Sequence, residues 1–199
     1  MALKHLKQSD YNISRWSGGT TTQLAIAPEG AIYAERDFLW RISSATVDLE
    51  ESDFTALPDY HRWISTLEGG MKLSHEKGAL IELSPYQVHQ FDGGIDTHSW
   101  GKCTDFNLML RKGKATGKIR SLTMKDGETQ TISFEQPDPA YPNCQLLIFC
   151  GQGSAQVKEN GESIVLVQGD SVYEVQAADA NLVLSAQGDC SFMIAQMQF

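Results

Sequence analysis

The sequence predicts an all-β fold built from two similar β-barrel units, with few and short helices. Three observations carry that expectation. Runs rich in β-branched and aromatic residues, bounded by Gly, Asn and Asp, dominate from residue 38 onward. No segment holds a 3.6-residue apolar stripe over a dozen positions. The two halves also repeat one pattern: a Gly, a short strand, a Gly turn, a second strand, a turn and a third strand.

Taken in order, the first long strand is expected over residues 38–49. There Trp40, Ile42, Ser44 and Thr46 alternate with Arg41, Ser43, Ala45 and Val47, so the two sets face opposite sides. The first copy of the repeat occupies residues 70–78, 79–83 and 84–91. The second occupies 153–161, 162–166 and 168–175, and one residue of slippage aligns His89 with Tyr173 and Phe91 with Val175. Further strands are expected over 146–149 and 181–185. Pro137, Pro139 and Pro142 exclude a central strand from residues 135–142, which read as a loop between the barrels. Arg111, Lys112, Lys114 and Lys118 lie among glycines and read as a solvated connector. The boundary therefore falls between residues 1–112 and 113–199, in one compact unit whose N-terminal strands are open to sharing.

Composition narrows the function. A chain of 199 residues with 41% hydrophobic and 21% charged residues is globular and too apolar for disorder. A net charge of −9 argues against a nucleic-acid partner, because phosphate binding needs clustered Lys and Arg. Residues 1–11 carry charges and no apolar core, and no run approaches the ~20 apolar residues of a membrane span. Cys103, Cys144, Cys150 and Cys190 are widely spaced and read as reduced thiols. These features place the protein in the cytoplasm, with no membrane partner.

Metal is the first chemistry to weigh. Small β-barrels of this kind often hold one on two histidines one residue apart, a carboxylate and a third histidine. The five histidines here are His5, His61, His75, His89 and His98, and no two are one residue apart. A metal needs several donors converging in fixed geometry, so the expectation is no metal and no other cofactor.

Three further features remain. Trp16-Ser17-Gly18-Gly19-Thr20-Thr21-Thr22-Gln23 pairs glycines that permit close backbone approach with three hydroxyls. It lacks the lysine of a phosphate loop, and a tight turn entering a strand explains it equally well. On a strand, Asp105, Asn107 and Met109 share one face while Phe106, Leu108 and Leu110 share the other. A buried carboxylate beside a buried amide is costly without partners, and Arg41 and Arg62 are the candidates. They make either a pocket or an Arg–Asp pair that ties the sheets together. His89, followed two residues later by Phe91, is the histidine in strand context within the repeat, and no Ser/His/Asp or Cys/His order presents itself.

The Trp16–Gln23 motif, residues 37–47 and 54–62, Leu67-Glu68-Gly69 and Asp105-Phe106-Asn107-Leu108-Met109 together resemble the HutD/Ves family, in family order over about the first 110 residues. The resemblance implies a bicupin fold: two cupin-like jelly-roll barrels in a bacterial, non-membrane protein associated with histidine utilisation or stress induction. It implies binding of a small carboxylate such as an N-formyl amino acid, with no catalytic activity attached. Trp16, Gly19, Thr22, Trp40, Arg41, Arg62, Asp105, Asn107 and Met109 are the positions carried over. Two positions depart from the pattern: Ser17-Gly18-Gly19-Thr20 replaces an Asn and three glycines, and Gln23 stands where many relatives have an acid.

The expected ligand-binding set is therefore Trp16, Thr22, Trp40, Arg41, Arg62, His89, Phe91, Asp105, Asn107 and Met109. The expected activity is non-enzymatic binding of a small anionic metabolite, because a guanidinium fork takes a carboxylate bidentately. The rivals are a metal-independent isomerase or hydrolase using His89 or Asp105, and an assembly protein whose barrels only mediate contacts. Oligomeric state stays open, a homodimer being one option.

Overall fold

A computed structural model describes residues 3–199. The strands are β1 (Lys4–Leu6), β2 (Asn12–Trp16), β3 (Gly19–Ala27), β4 (Trp40–Val47), β5 (Glu51–Asp53), β6 (Tyr60–Glu68), β7 (Met71–His75), β8 (Leu80–Leu83), β9 (His89–Asp92), β10 (Thr97–Trp100), β11 (Cys103–Arg111), β12 (Thr116–Met124), β13 (Thr129–Ser133), β14 (Cys144–Gln152), β15 (Ser154–Glu159), β16 (Glu162–Val167), β17 (Ser171–Glu174), β18 (Asn181–Ala186) and β19 (Cys190–Gln198). Helix is confined to single 3-10 turns at Gln8–Asp10, Tyr33–Glu35 and Ala177–Asp179 among the described residues.

The chain divides into two compact units. Tyr11–Ala115 forms one, and the described residues up to Asp10 join Thr116–Phe199 in the other. The division differs from the sequence boundary at its N-terminal edge, because β1 pairs antiparallel with β17. The proline tract, read as a loop between barrels, lies inside the second unit between β13 and β14.

Within Tyr11–Ala115 a six-stranded sheet runs β2-β3-β4-β11-β6-β9 and a four-stranded sheet runs β5-β10-β7-β8. In the other unit a five-stranded sheet runs β1-β17-β14-β19-β12 and a four-stranded sheet runs β13-β18-β15-β16. Adding eight to each label converts β4–β11 into β12–β19, neighbour for neighbour. Both units are thus the same eight-stranded antiparallel jelly roll, the first extended by β2 and β3 and the second by β1. The sequence repeat is the visible part of this: β7 and β8 form a hairpin in the small sheet before β9 enters the large one, and β15, β16 and β17 do the same.

The two interiors are filled differently. In the second unit Leu146, Ile148 and Cys150 of β14 face Ala155, Val157, Leu166, Leu182 and Leu184 in one continuous apolar core. In the first, Val47, Ile64, Met71, Leu73, Leu83, Phe91 and Cys103 form one apolar cluster, and Phe38, Leu57, Tyr60 and Met109 form another. The buried polar residues Arg41, Ser43, Arg62, Asp105 and Asn107 belong to neither.

Candidate functional site

Register explains how the polar residues meet. Residues directly opposite in neighbouring strands share a face. One row across the six-stranded sheet reads Ile26, Arg41, Met109, Arg62, Phe91. The next reads Gln23, Ser43, Asn107, Ile64, His89. Asp105 follows one step on along β11, beside a register shift, opposite Thr66. A bulge between Gln23 and Ala25 lets Gln23 and Ile26, three residues apart, appear on the same face.

Arg41 is well supported. Its Nε donates to Gln23 Oε1 at 2.8 Å and its Nη1 to Ser43 Oγ at 3.1 Å. Its guanidinium also lies 4.2 Å from the centre of the Tyr33 ring, whose other neighbour is the Arg36 guanidinium at 3.7 Å. Burial draws the Arg41 pKa down.

Arg62 is not so supported. It is only 6% exposed, makes no hydrogen bond or ion pair among the described residues, and its Nε is a buried donor without an acceptor. Its guanidinium rests instead on aromatic faces, 4.8 Å from the Phe54 centroid and 5.2 Å from that of Phe91. Burial draws its pKa down to about 10, which leaves it cationic at neutral pH.

The Asp105 carboxylate takes its hydrogen bond from the backbone. Its Oδ1 accepts from Ala45 N–H at 2.9 Å, and its carbonyl accepts from Ser44 Oγ at 2.6 Å. Burial pushes the carboxyl up to about 6 against the opposing pull of that N–H, Arg62 and Arg41. The neighbouring Cys103 thiol is pushed up to about 12 by burial and by Asp105. Asn107 Oδ1 is a buried acceptor without a donor. An interior with one unpaired guanidinium and one unpaired amide oxygen is equipped to hold a small molecule carrying an anionic group and a donor.

Not every expected residue joins this cluster. Trp40 and Thr22 lie on the opposite face, since Trp40 pairs with Leu110 and Thr22 with Ser44. Trp16 is 42% exposed at the end of β2. Its ring lies where a side chain at Gly18 would project, and a side chain at Gly19 would strike the Thr46 carbonyl. The glycine pair therefore makes a tight turn between β2 and β3, with Gly19 at φ +150. Sequence reasoning missed Gln23 and Ser43 as supports of Arg41, and Tyr33 and Phe54 as aromatic surfaces. The parity of residues 41–47 contained Ser43; nothing in the sequence brought Tyr33 or Phe54 to the site.

His89 also needs correction. All five histidines sit on strands, and His89 Nε2 lies 2.9 Å from His75 Nε2. His75, on β7 of the other sheet, is the partner that sequence reasoning passed over. The usual cupin metal does not fit the arginine cluster: among the described residues no group of three or more His, Cys, Asp or Glu converges on an ion. A separate groove of about 510 Å³ runs past Leu80, His98 and Trp100 on the outer face of the four-stranded sheet, away from the arginines. No helix among the described residues is long and apolar enough to cross a membrane.

The HutD family model matches residues 8–192. Among solved structures, a conserved protein of unknown function from Pseudomonas aeruginosa PAO1, PA5104, superposes with TM-score 0.82 at 23% identity over all of both chains. HutD from Pseudomonas fluorescens SBW25, determined in a formate condition, gives 0.72 at 21%, again over all of both chains. The bacterial pirin YhhW from Escherichia coli, in complex with nickel(II), gives 0.70 at 7% over all of this chain and 99% of that one. These likenesses establish the cupin-like, all-β fold. No curated protein matches the sequence.

Proposed function

The chain belongs to the HutD family, and from that premise we propose that it is a non-enzymatic binding protein that senses a small carboxylate within histidine utilisation. The ligand enters the first barrel and places its carboxylate on Arg62, with Arg41 supplying a second positive charge. An N-formyl amino acid fits the chemistry: its carboxylate suits the guanidinium fork and its amide N–H suits the orphan Oδ1 of Asn107.

One observation carries the reading. A guanidinium buried to 6% exposure with no acid within ion-pair distance is expensive to maintain, because burying an unpaired charge costs several kcal/mol. Buried polar groups left without a partner are rare in native proteins, and a bound ligand is one way to complete them. The four buried free thiols accord with a cytoplasmic location.

A thermal-shift screen of formate, N-formyl amino acids and histidine-catabolic intermediates tests the proposal. Small carboxylates should raise the melting temperature in a concentration-dependent way, and uncharged analogues should not. If none shifts it, the proposal fails. The second reading, a metal-independent hydrolase or isomerase, draws on Asp105, whose raised pKa suits a general base. Turnover of a bound N-formyl amino acid, lost in Asp105→Asn, would favour it.

A further inference from the structure

We propose that the second barrel carries a small-molecule site of its own, a cleft beside β12 and β19 that takes a primary carboxamide. Adding eight to the strand labels maps the arginine row onto this unit. Arg62 and Leu146 are each third in their strands, and Met109 and Gln196 are each seventh. The row Arg41, Met109, Arg62 therefore becomes Lys118, Gln196, Leu146. That exchange changes what the interior lacks. In the first barrel a guanidinium stands unpaired. In the second, Gln196 is 3% exposed and its Oε1 is a buried acceptor without a donor. The missing partner is an N–H.

Gln196 borders a cleft of about 160 Å³, lined also by Thr116, Lys118, Phe134, Glu135 and Gln198. At roughly 30 Å³ for each water-sized group, it holds a molecule of about five heavy atoms. The residues that follow β13 form its other wall, and the two glutamines hold them there. Gln196 Nε2 donates to the Glu135 carbonyl at 3.4 Å. Gln198 accepts from Asp138 N–H at 3.3 Å and donates to the Tyr141 carbonyl at 3.3 Å. Gln198 therefore spends its amide on the proline tract, while the Gln196 oxygen is left for something else.

Charge decides the class of ligand. Lys118 Nζ donates to Glu135 Oε2 at 2.8 Å, and Arg120 Nε lies 3.6 Å from Glu135 Oε1. The hydrogen bond from Lys118 holds the Glu135 carboxyl below its ordinary value, so the group is an anion at neutral pH. The chain's own carboxylate thus already occupies both cations, and an acidic ligand would have to displace it. An ammonium has three N–H groups, and Glu135 takes one of those on Lys118. The others are available to a carbonyl. Lys118 and Gln196 stand directly opposite each other on neighbouring strands, so that donor and the orphan acceptor serve one molecule. A primary amide presents a carbonyl and an N–H along one edge, which a trans secondary amide does not. Phe134 offers apolar surface to a short alkyl tail.

Titration of acetamide, and separately of its isostere acetate, into the full chain tests the site by protein-observed NMR. Acetamide should bind in the millimolar range and shift the signals of Thr116, Lys118 and Gln196, whereas acetate should leave them in place. Gln196→Met installs the residue that Met109 presents in the first barrel and removes an unsatisfied acceptor, so its melting temperature should not fall. That variant and Lys118→Met should each weaken acetamide roughly tenfold, as expected for one lost hydrogen bond. If Gln196→Met melts early, Lys118→Met decides, since its side chain is 39% exposed. Arg62→Met should bind acetamide as the parent does, which separates this site from the carboxylate site of the first barrel. Acetamide binding that is absent, matched by acetate at the same residues, retained in Lys118→Met, or lost in Arg62→Met would overturn the assignment.

Discussion

Arg62 and Asp105 share the interior of the first barrel without forming an ion pair. Each is buried, at 6% exposure, and each feels the other's charge, but Asp105 spends its Oδ1 on Ala45 N–H and Arg62 leans on two phenyl rings. An Arg–Asp bridge tying the sheets together is therefore not what these residues make. The guanidinium is left for something else.

That separation predicts the behaviour of Arg62→Met. The methionine keeps apolar bulk against Phe54 and Phe91 and removes an unpaired buried charge. Since no hydrogen bond is lost, the variant should fold and melt at or above the parent temperature in differential scanning calorimetry. A large drop in melting temperature would mean that the arginine is structural.

Asp105 predicts a pH dependence. Its folded pKa of about 6 lies above the ordinary value of 3.8 for this carboxyl, so the folded state holds the proton more tightly than the unfolded chain. The stability this confers is fully present below about pH 4 and is lost as pH rises through about 6. Asp105→Asn retains an oxygen for Ala45 N–H and removes the titration. At pH 7 the variant should be more stable than the parent, by at most on the order of 3 kcal/mol. Denaturant unfolding should show the difference vanish near pH 4, and equal stability at both pH values would contradict the assignment.

Gln23 predicts a charge effect. As an amide it orients Arg41 through a 2.8 Å hydrogen bond without neutralising it. Gln23→Glu should convert the contact into an ion pair and reduce anion affinity roughly tenfold, with little change in fold. Unchanged affinity would place the ligand away from Arg41.

Much of the site was legible because strands obey a period of two. Asp105, Asn107 and Met109 fall on one face by parity alone, and Arg41 with Ser43 by the same rule. That rule also forbids Trp40 from sharing a face with Arg41, and a resemblance that carried both over could not enforce it. The bulge after Gln23 was invisible, because a one-residue insertion changes pairing without changing composition. His75 was invisible for another reason: its meeting with His89 depends on two sheets facing each other, which no local pattern encodes. The repeat, by contrast, was read directly and is three strands of a shared eight-strand topology.

Burial also predicts thiol behaviour. Cys103, Cys144, Cys150 and Cys190 are free and buried, and burial raises the pKa of Cys103 and Cys150 to about 12 and pushes Cys190 up. Thiolates are the reactive form, so a disulfide reagent should modify none promptly in the native protein and four after denaturation. Rapid native modification would show that one of the barrels opens readily.

The central claim is that Arg62 anchors a small carboxylate beside an acid that titrates near pH 6. Isothermal titration of formate and an N-formyl amino acid into the parent and Arg62→Met, between pH 5.5 and 8, tests it most directly. The parent should bind more tightly as pH falls and Asp105 becomes neutral, and Arg62→Met should lose about ten- to hundredfold in affinity, as expected for one charge-assisted contact. Equal binding by parent and variant, or binding by neither at any pH, would contradict it.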